Sequence, residues 1–303
     1  MKKFLLKVLL FFTLVVVMDY AFGLIFSCLR THAKGGSTAN CDYIANRCED
    51  DIIILGSSRA THHYIPQIIE DSLGMSCYNC GEEGNGIVLA YARFKMLKSR
   101  YKPKLILYEM TPGYDYGMDE PNTKYLGYLR PYYCKDDIKA LFDDFDDRLS
   151  FLKMKSKMYQ NTGKLLPDIV DNLVYRNNMK GYSPLRGKLN KDKMESQFEN
   201  KSNGIDSLKL SYVEKLMVEA LGDDIPIVFI ISPRYGGHSD YNSYEPEIAL
   251  CEKHKVPCYN FINYEVLADN AKYFQDKGHM NDSGAVVYTQ MLIKEVLNNN
   301  LSK

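Results

Sequence analysis

The residues of this sequence best suited to chemistry are a serine early in the chain and an aspartate–histidine pair near its end. Asp276 and His279 are three residues apart, and Ser58 lies far upstream. At that spacing the carboxylate can reach one imidazole nitrogen and leave the other free to take a proton from a serine hydroxyl. Ser58, His279 and Asp276 therefore predict a nucleophile, a general base and an orienting acid.

Each of these residues also has a purely structural interpretation. A serine that opens a helix is commonly an N-cap, and His279 could be a capping or core histidine. Ser57 is the second candidate for the nucleophile. The presence of Ser58 together with Asp276 and His279 in one chain favours the catalytic interpretation.

The sequence around Ser58 explains how a hydroxyl could be presented to a substrate. Residues 51–56 run from an acidic start through four aliphatic side chains, which indicates a short strand buried on both faces. Gly56 permits a tight turn. Ser57 and Ser58 follow in a position to open a helix, whose N-terminal amides favour developing negative charge.

Four further strands are predicted between helices, at 76–79, 104–110, 225–231 and 256–261. Strands that alternate with helices form parallel sheets, so we expect an α/β domain with a five-stranded parallel sheet. Ligands bind such sheets at the carboxyl ends of the strands, where polar turns follow the first three strands. Four residues in or beside those turns are candidates for substrate binding: Ser57, Arg59, Asn85 and Thr111.

Two neighbouring features of the first turn have less specific interpretations. Arg59 could hold an anionic group, but an exposed helix arginine is the alternative. His62 and His63 are expected at the surface, lining the entrance of the cleft.

The regular pattern breaks between residues 111 and 205. This block has no strong strand and is interpreted as a helical and loop insertion rather than a domain of its own, with a flexible loop from 180 to 203. Residues 30–50 are polar, contain Gly-Gly-Ser-Thr, and predict a linker. The predicted organisation is a membrane segment at 1–29, this linker, an α/β domain at 51–298 and a tail at 299–303.

The N-terminus predicts a membrane anchor. From Val8 to Leu29 there are 22 residues with one charge, Asp19. At about 1.5 Å per residue they span a hydrocarbon core of about 30 Å. Lysines 2, 3 and 7 place the N-terminus in the cytoplasm and the rest of the chain outside. A cleaved signal peptide is the alternative, but no Ala-x-Ala site follows the apolar run.

Asp19 needs a partner at membrane depth. It either lies near an interface or contacts another membrane protein.

Composition excludes some functions. Lys plus Arg equals Asp plus Glu, at 38 each, so the basic surface of a nucleic-acid-binding protein is lacking. Among eight cysteines, Cys41 and Cys48 are the favoured disulfide pair. Cys77-x-x-Cys80 has no second pair or histidine cluster, so zinc is not expected, and no other cofactor is implied.

Taken together, these motifs resemble the SGNH/GDSL hydrolase family. Gly56-Ser57-Ser58 stands where that family has Gly-Asp-Ser, so Ser58 matches its nucleophile. Asn79-x-Gly81-x-x-Gly84 matches its second block, in which Gly84 would be an oxyanion donor beside the Ser58 amide. Asp276-Lys277-Gly278-His279 matches its last block. The resemblance covers roughly 50–111 and 225–298, and implies a flavodoxin-like three-layer α/β/α fold.

The sequence departs from the family pattern in two places. Ser57 replaces the family aspartate, and Tyr108-Glu109-Met110-Thr111-Pro112-Gly113 stands where Gly-x-Asn-Asp is expected, so the third oxyanion donor is missing. With the membrane segment, this looks like the envelope branch of proteins that help O-acylate teichoic acids and exopolysaccharides beside membrane-bound O-acyltransferases.

The resemblance implies a membrane-anchored serine esterase or O-acyltransferase acting on acylated envelope glycans. A membrane-bound O-acyltransferase is the implied partner. The alternative, motivated by the missing asparagine, is a non-catalytic envelope assembly or binding protein on the same fold.

Overall fold

A computed structural model of the chain describes residues 1–118, 123–146, 149–174, 179–189, 204–237 and 241–301. The chain divides into two compact units. The smaller comprises 1–43 and 122–177, and the larger comprises 44–121 and 178–303.

The larger unit contains one parallel five-stranded sheet with helices on both faces, which confirms the predicted α/β fold. The strand order is β2-β1-β3-β4-β5, the order of flavodoxin-like folds. The strands are β1 Ile52–Gly56, β2 Cys77–Asn79, β3 Leu105–Glu109, β4 Ile227–Ile231 and β5 Cys258–Asn260.

The strand register places the functional turns at one edge of the sheet. Gly56 pairs with Glu109, and Glu109 pairs with Ile230. The carboxyl ends of β1, β3 and β4 are therefore level with one another. All three strands are buried along their whole length, as their aliphatic sequences require of a sheet covered on both faces.

The helices of the two units are, in chain order, α1 Lys2–Thr31, α2 Gly36–Asn46, α3 Ser58–His63, α4 Pro66–Leu73, α5 Ile87–Lys98, α6 Pro112–Asp115, α7 Thr123–Leu126, α8 Asp136–Phe145, α9 Ser150–Lys153, α10 Lys157–Asn161, α11 Leu165–Leu173, α12 Ser207–Gly222, α13 Glu245–His254, α14 Glu265–Ala268, α15 Asp282–Leu292 and α16 Asn298–Leu301. Short 3₁₀ turns occur at Arg130–Tyr132, Tyr241–Tyr244 and Ala271–Tyr273, and a π-helical turn occurs at Ile293–Leu297.

Local chemistry explains several helix ends. Pro66 opens α4, where its missing N–H costs nothing. Gly74 ends the same helix with φ of +65° and donates its N–H to the Glu70 carbonyl. Asn281 caps α15 by accepting the Gly284 N–H at 3.1 Å.

The region predicted as a linker contains a helix instead. α2 covers Gly36–Asn46, although Gly35, Gly36, Ser37 and Thr38 resemble loop residues in sequence. The Thr38 hydroxyl donates to Asp168 at 2.9 Å and the Thr38 N–H donates to Asp171 at 3.0 Å. These distant partners stabilise the start of the helix, and no local pattern reveals them.

The predicted insertion is also divided differently. Residues 122–177 belong to the smaller unit with α1, whereas 179–189 pack within the larger unit. The Asn79 N–H donates to the Lys180 carbonyl at 2.9 Å, and the Ser183 N–H donates to Thr61 at 3.0 Å. The part of the predicted flexible loop from 190 to 203 lies outside the described residues.

Two further expectations concern the smaller unit and the cysteines. Asp19 accepts hydrogen bonds from Ser156 and Lys157 of the same unit, so the carboxylate has partners within the chain, and its contact with a second membrane protein stays a prediction. All eight cysteines are free thiols, and Cys48 donates to Asp50 at 3.3 Å instead of pairing with Cys41.

α1 is long and apolar enough to cross a membrane.

Candidate active site

Ser58, His279 and Asp276 form one hydrogen-bonded chain at the carboxyl edge of the sheet. Ser58 Oγ lies 2.7 Å from His279 Nε2. His279 Nδ1 lies 3.0 Å from each carboxylate oxygen of Asp276. These are the distances that a serine nucleophile, an imidazole base and an orienting carboxylate require.

The turn after β1 presents Ser58 rather than using it as a cap. Gly56 has φ of +142°, and a Cβ there would lie 2.8 Å from the Glu109 carbonyl, so only glycine fits. Ser57 occupies the N-cap position of α3 and makes no side-chain capping bond. Ser58 is the first residue of the helix, which leaves its hydroxyl free to contact His279.

A tight loop fixes Asp276 relative to His279. One carboxylate oxygen of Asp276 accepts the N–H groups of Gly278 and His279, each at 2.8 Å. Burial opposes ionisation of this carboxyl, but its hydrogen bonds from the His279 ring and from those amides hold its pKa below the ordinary value. Asp276 is therefore an anion that orients the ring.

The turn that carries Gly84 lies against α3. The Glu82 N–H donates to the Gly56 carbonyl at 3.2 Å. A Cβ on Gly81 would lie 2.8 Å from both the Ala60 Cβ and the Thr61 nitrogen. Gly84 adopts φ of +63°, a left-handed conformation that favours glycine. The close approach places the turn beside the helix that Ser58 opens.

Asn85 has an unusual hydrogen-bonding state. It is buried, and its amide nitrogen donates to the Glu83 carbonyl at 2.8 Å. Its Oδ1 has no hydrogen-bond partner among the described residues. A buried acceptor without a donor is unfavourable, so a ligand hydroxyl would be a suitable partner.

Thr111 lies two residues after the end of β3, beside Ser57. Ser57 Oγ donates to Thr111 Oγ1 at 3.1 Å, and the Thr111 N–H donates to Asp115 at 2.6 Å. Because its oxygen accepts from Ser57, the Thr111 hydroxyl retains its own proton for donation.

Arg59 is buried and paired, which differs from its expected role as a substrate contact. Its guanidinium forms a buried ion pair with Glu109 and donates to the Tyr244 hydroxyl at 2.6 Å. Burial alone would lower the pKa of Arg59, but the Glu109 charge raises it above the ordinary value. Arg59 is thus a buried, charged residue whose partners are Glu109 and Tyr244.

The Glu109 carboxylate joins three elements of the larger unit. It accepts from Arg59 of α3 and from the Tyr64 hydroxyl just after that helix. It also accepts the Ser232 hydroxyl at 2.8 Å and the Ser232 N–H at 3.2 Å, directly after β4. A carboxylate that accepts from both Arg59 and Tyr64 fixes α3, and therefore Ser58, on the sheet.

A second set of contacts connects Glu109 to the histidine loop. His63 Nδ1 lies 2.7 Å from Ser232 Oγ, and His63 Nε2 accepts the N–H of Met280 at 3.0 Å. Burial, followed by the charge of Arg59, lowers the pKa of His63 well below its usual value, so the ring is neutral. By accepting the N–H of Met280, the His63 ring positions the residue next to His279.

His62 is also buried, contrary to the expectation of a surface position. Its Nδ1 lies 2.6 Å from the Ser183 carbonyl, and its Nε2 lies 3.1 Å from a Glu83 carboxylate oxygen. Both ring nitrogens of His62 therefore face oxygen atoms that act as acceptors. The hydrogen bond from His62 lowers the pKa of Glu83.

Sequence reasoning placed Glu109 in a polar turn and His63 at the entrance of the cleft, but it did not identify Glu109, His63 or Ser232 as residues that position the site. A signal was present for two of them, because Glu109 and Ser232 lie at the carboxyl ends of β3 and β4. The pairing of a charged residue with Arg59 of another element could not be found from sequence spacing.

A pair of buried carboxyls lies behind Thr111. Asp115 accepts from the Tyr108 hydroxyl at 2.6 Å as well as from the Thr111 N–H. Burial raises the pKa of Asp115 to about 7, against those hydrogen bonds. Glu247 lies beside it, and both of its carboxyl oxygens are buried. Burial, followed by the Asp115 charge, raises the pKa of Glu247 well above its usual value.

The described residues contain no group of three or more His, Cys, Asp or Glu side chains that could hold a metal ion.

No protein-family model and no curated protein matches the sequence. Among solved structures, the chain is similar to TesA, with 9% identity, a TM-score of 0.41, and coverage of 80% of this chain and 96% of TesA. It is similar to the acetyl xylan esterase AlAXEase, with 10% identity, a TM-score of 0.41, and coverage of 81% and 100%. It is also similar to a GDSL-like lipase from Bacteroides thetaiotaomicron, with 8% identity, a TM-score of 0.39, and coverage of 82% and 87%. Similarity this low does not establish a function.

Replacing Glu109 by Gln should destabilise the protein strongly. The substitution leaves the Arg59 charge buried without its anion, and breaking a buried ion pair in this way costs about 3–5 kcal/mol. Urea denaturation of the full-length protein measures the change. Glu214→Gln is the matched control, because Glu214 pairs with Lys253 at the surface and loses less than about 1 kcal/mol. Equal losses in the two variants would contradict the account of Glu109.

The Asp115–Glu247 pair predicts a specific pH dependence of stability. Both carboxyls bind a proton more tightly in the folded chain than in the unfolded chain, where their pKa values are about 4. The contribution of Asp115 to the free energy of unfolding is therefore complete below about pH 4 and is lost as the pH rises through about 7. The contribution of Glu247 is lost in the same direction, as the pH rises. Glu247→Gln should reduce this loss, because no second buried anion then forms.

Denaturation midpoints at pH 5 and pH 8 test this prediction. Glu245→Gln is the control, since Glu245 is exposed on the same helix and should leave the pH dependence unchanged. An unaltered pH dependence in Glu247→Gln would show that the buried pair does not control it.

Proposed function

We propose that the protein is a membrane-anchored serine esterase or O-acyltransferase that acts on acyl esters of envelope glycans. The observation that carries the proposal is the chain from Ser58 Oγ to His279 Nε2 at 2.7 Å and from His279 Nδ1 to Asp276 at 3.0 Å. A nucleophile, a base and an orienting acid are thereby in contact without any rearrangement.

Acylation begins when His279 Nε2 takes the Ser58 proton while Ser58 Oγ attacks the ester carbonyl carbon. Asp276 keeps the imidazole in the tautomer with Nδ1 protonated and stabilises the imidazolium that forms. The tetrahedral intermediate collapses as His279 returns the proton to the departing alkoxide. The products are an acyl ester on Ser58 and a free alcohol.

Deacylation repeats these steps with a second nucleophile. His279 takes a proton from water or from a sugar hydroxyl, whose oxygen attacks the acyl carbon and releases Ser58. Water gives hydrolysis, and a sugar hydroxyl gives acyl transfer. The one proposed site therefore supports both reactions.

The amides of Ser58 and Gly84 are the proposed oxyanion donors. Thr111 is the proposed third donor in place of the missing asparagine, because its hydroxyl proton is available. Removing one such donor typically costs on the order of 10²–10³ in rate, so a hydroxyl in this position matters.

Two features support an acylated glycan outside the cytoplasm as the substrate. The unpartnered Oδ1 of Asn85 suits a substrate that brings a hydroxyl donor. Lysines 2, 3 and 7 lie in the first two turns of α1, which favours a cytoplasmic N-terminus. A membrane-bound O-acyltransferase is the proposed partner that supplies acyl groups.

Labelling with a fluorophosphonate probe tests the proposed nucleophile. Full-length protein should be labelled, and Ser58→Ala should abolish labelling and lower p-nitrophenyl acetate hydrolysis by about 10³-fold or more. Ser57→Ala is the matched control, because Ser57 is buried and contacts Thr111, and it should keep the label. Equal labelling of the Ser58→Ala variant would refute the assignment, and a folded protein without any labelling would favour the non-catalytic alternative.

A further inference from the structure

The smaller unit contains a helix whose polar side faces the protein and whose apolar side faces outward. In α11, Asp168 and Asp171 are each only 3% exposed, whereas Leu166 is 76% exposed and Leu173 is 79% exposed. Helices of water-soluble domains show the opposite arrangement. The apolar side of α11 is therefore suited to an apolar environment rather than to water.

The buried polar side of α11 is fully used within the unit. Asp168 and Asp171 accept the hydroxyl and the N–H of Thr38. The Asn172 side chain donates to the Leu29 carbonyl at 2.6 Å, near the end of α1. These contacts determine which side of the helix faces outward, so the exposure of its leucines is a consequence of specific bonding.

Neighbouring segments of the same unit continue the apolar surface. We call this set the apolar face of the 149–174 segment. Its members are more than a third exposed and comprise Leu149, Phe151, Leu152, Met158, Leu166, Ile169, Val170, Leu173 and Val174. Lys155 is exposed between them. Apolar side chains interspersed with lysines are typical of helices that lie in a membrane interface.

The contact between α1 and α10 gives the depth of this segment. Asp19 of α1 accepts the N–H groups of Lys157 at 2.8 Å and Met158 at 3.3 Å, and it accepts the Ser156 hydroxyl. Gly23, one turn further on, permits close packing, because a Cβ there would lie 2.6 Å from the Lys157 Cβ. The start of α10 is therefore held at the level of Asp19.

That level lies inside a membrane that α1 crosses. The rise from Lys2 to Asp19 is about 26 Å at 1.5 Å per residue, which is less than the hydrocarbon thickness of about 30 Å. Tilting α1 places Asp19 deeper still. The backbone at the start of α10 can occupy this depth because Asp19 satisfies its amides, as polar groups in hydrocarbon require.

We propose that the 149–174 segment is embedded in the membrane interface, with its apolar face against the acyl chains of the leaflet at the carboxyl end of α1. The proposal rests on α1 crossing the membrane but not on the catalytic role of Ser58. The occupant of this surface is lipid. The protein would then bind the membrane through two elements, the transmembrane helix α1 and the apolar face of the 149–174 segment.

Single tryptophans provide the test, because the protein has no Trp of its own. Phe151→Trp, Leu166→Trp and Leu173→Trp are made separately in the full-length chain, at exposed positions that tolerate a large side chain. Each variant is reconstituted in vesicles of phosphatidylcholine and phosphatidylglycerol, with or without bromine on the acyl chains. Their emission should shift to the blue and be lost in brominated vesicles, more with bromine near the headgroup than near the chain end.

Two control variants separate this proposal from the membrane anchor. Leu10→Trp lies within α1 and should be quenched by brominated lipid. Ala140→Trp lies on α8 in the same unit, on an exposed side with Asp143 and Asp144, and should be quenched by aqueous iodide instead. Quenching of Leu10→Trp without quenching of the three 149–174 variants would overturn this proposal and leave the anchor intact. If Leu10→Trp is not quenched by brominated lipid, both the membrane anchor and this proposal are wrong.

The occupant is also distinguished by the emission spectrum. A blue shift without quenching by brominated lipid would mean that a protein surface, such as a second copy, covers the apolar face. Tryptophan emission at long wavelength that is quenched by iodide would mean that water covers the apolar face. Either result contradicts the assignment to lipid.

Discussion

The buried carboxylate of Glu109 is the interaction on which the site depends most. It lies at the end of the central strand and accepts hydrogen bonds from Arg59, Tyr64 and Ser232. Ser232 in turn contacts His63, and His63 accepts the N–H of Met280, the residue next to His279. One anion thus positions the helix that carries the serine and the loop that carries the base.

The charge of Glu109 is compensated inside the unit. Its ion pair with Arg59 is buried. Breaking such a pair is costly because it leaves an uncompensated charge in the interior. Glu109 therefore has a structural role, and the proposed oxyanion donor Thr111 lies two residues further along the chain.

Those features of the fold and of the site that depend on neighbouring residues can be predicted from the sequence. Four aliphatics followed by Gly-Ser-Ser indicate β1 and its turn, and Asp276-x-x-His279 indicates a carboxylate that reaches its own histidine. The parallel sheet follows from alternation of strands and helices. Long-range features could not be predicted in this way. Arg59 has the pattern of an exposed helix residue, and Gly35 to Thr38 have that of a linker, because their partners lie far away in the chain.

The central claim is that Ser58 carries the acyl group during turnover. Full-length protein hydrolysing p-nitrophenyl acetate can be quenched with acid, and its peptides can be mapped by mass spectrometry. An acetyl group on the Ser58 hydroxyl is the expected result. Hydrolysis with acetyl on another side chain, or with no acetyl at Ser58, would contradict the account.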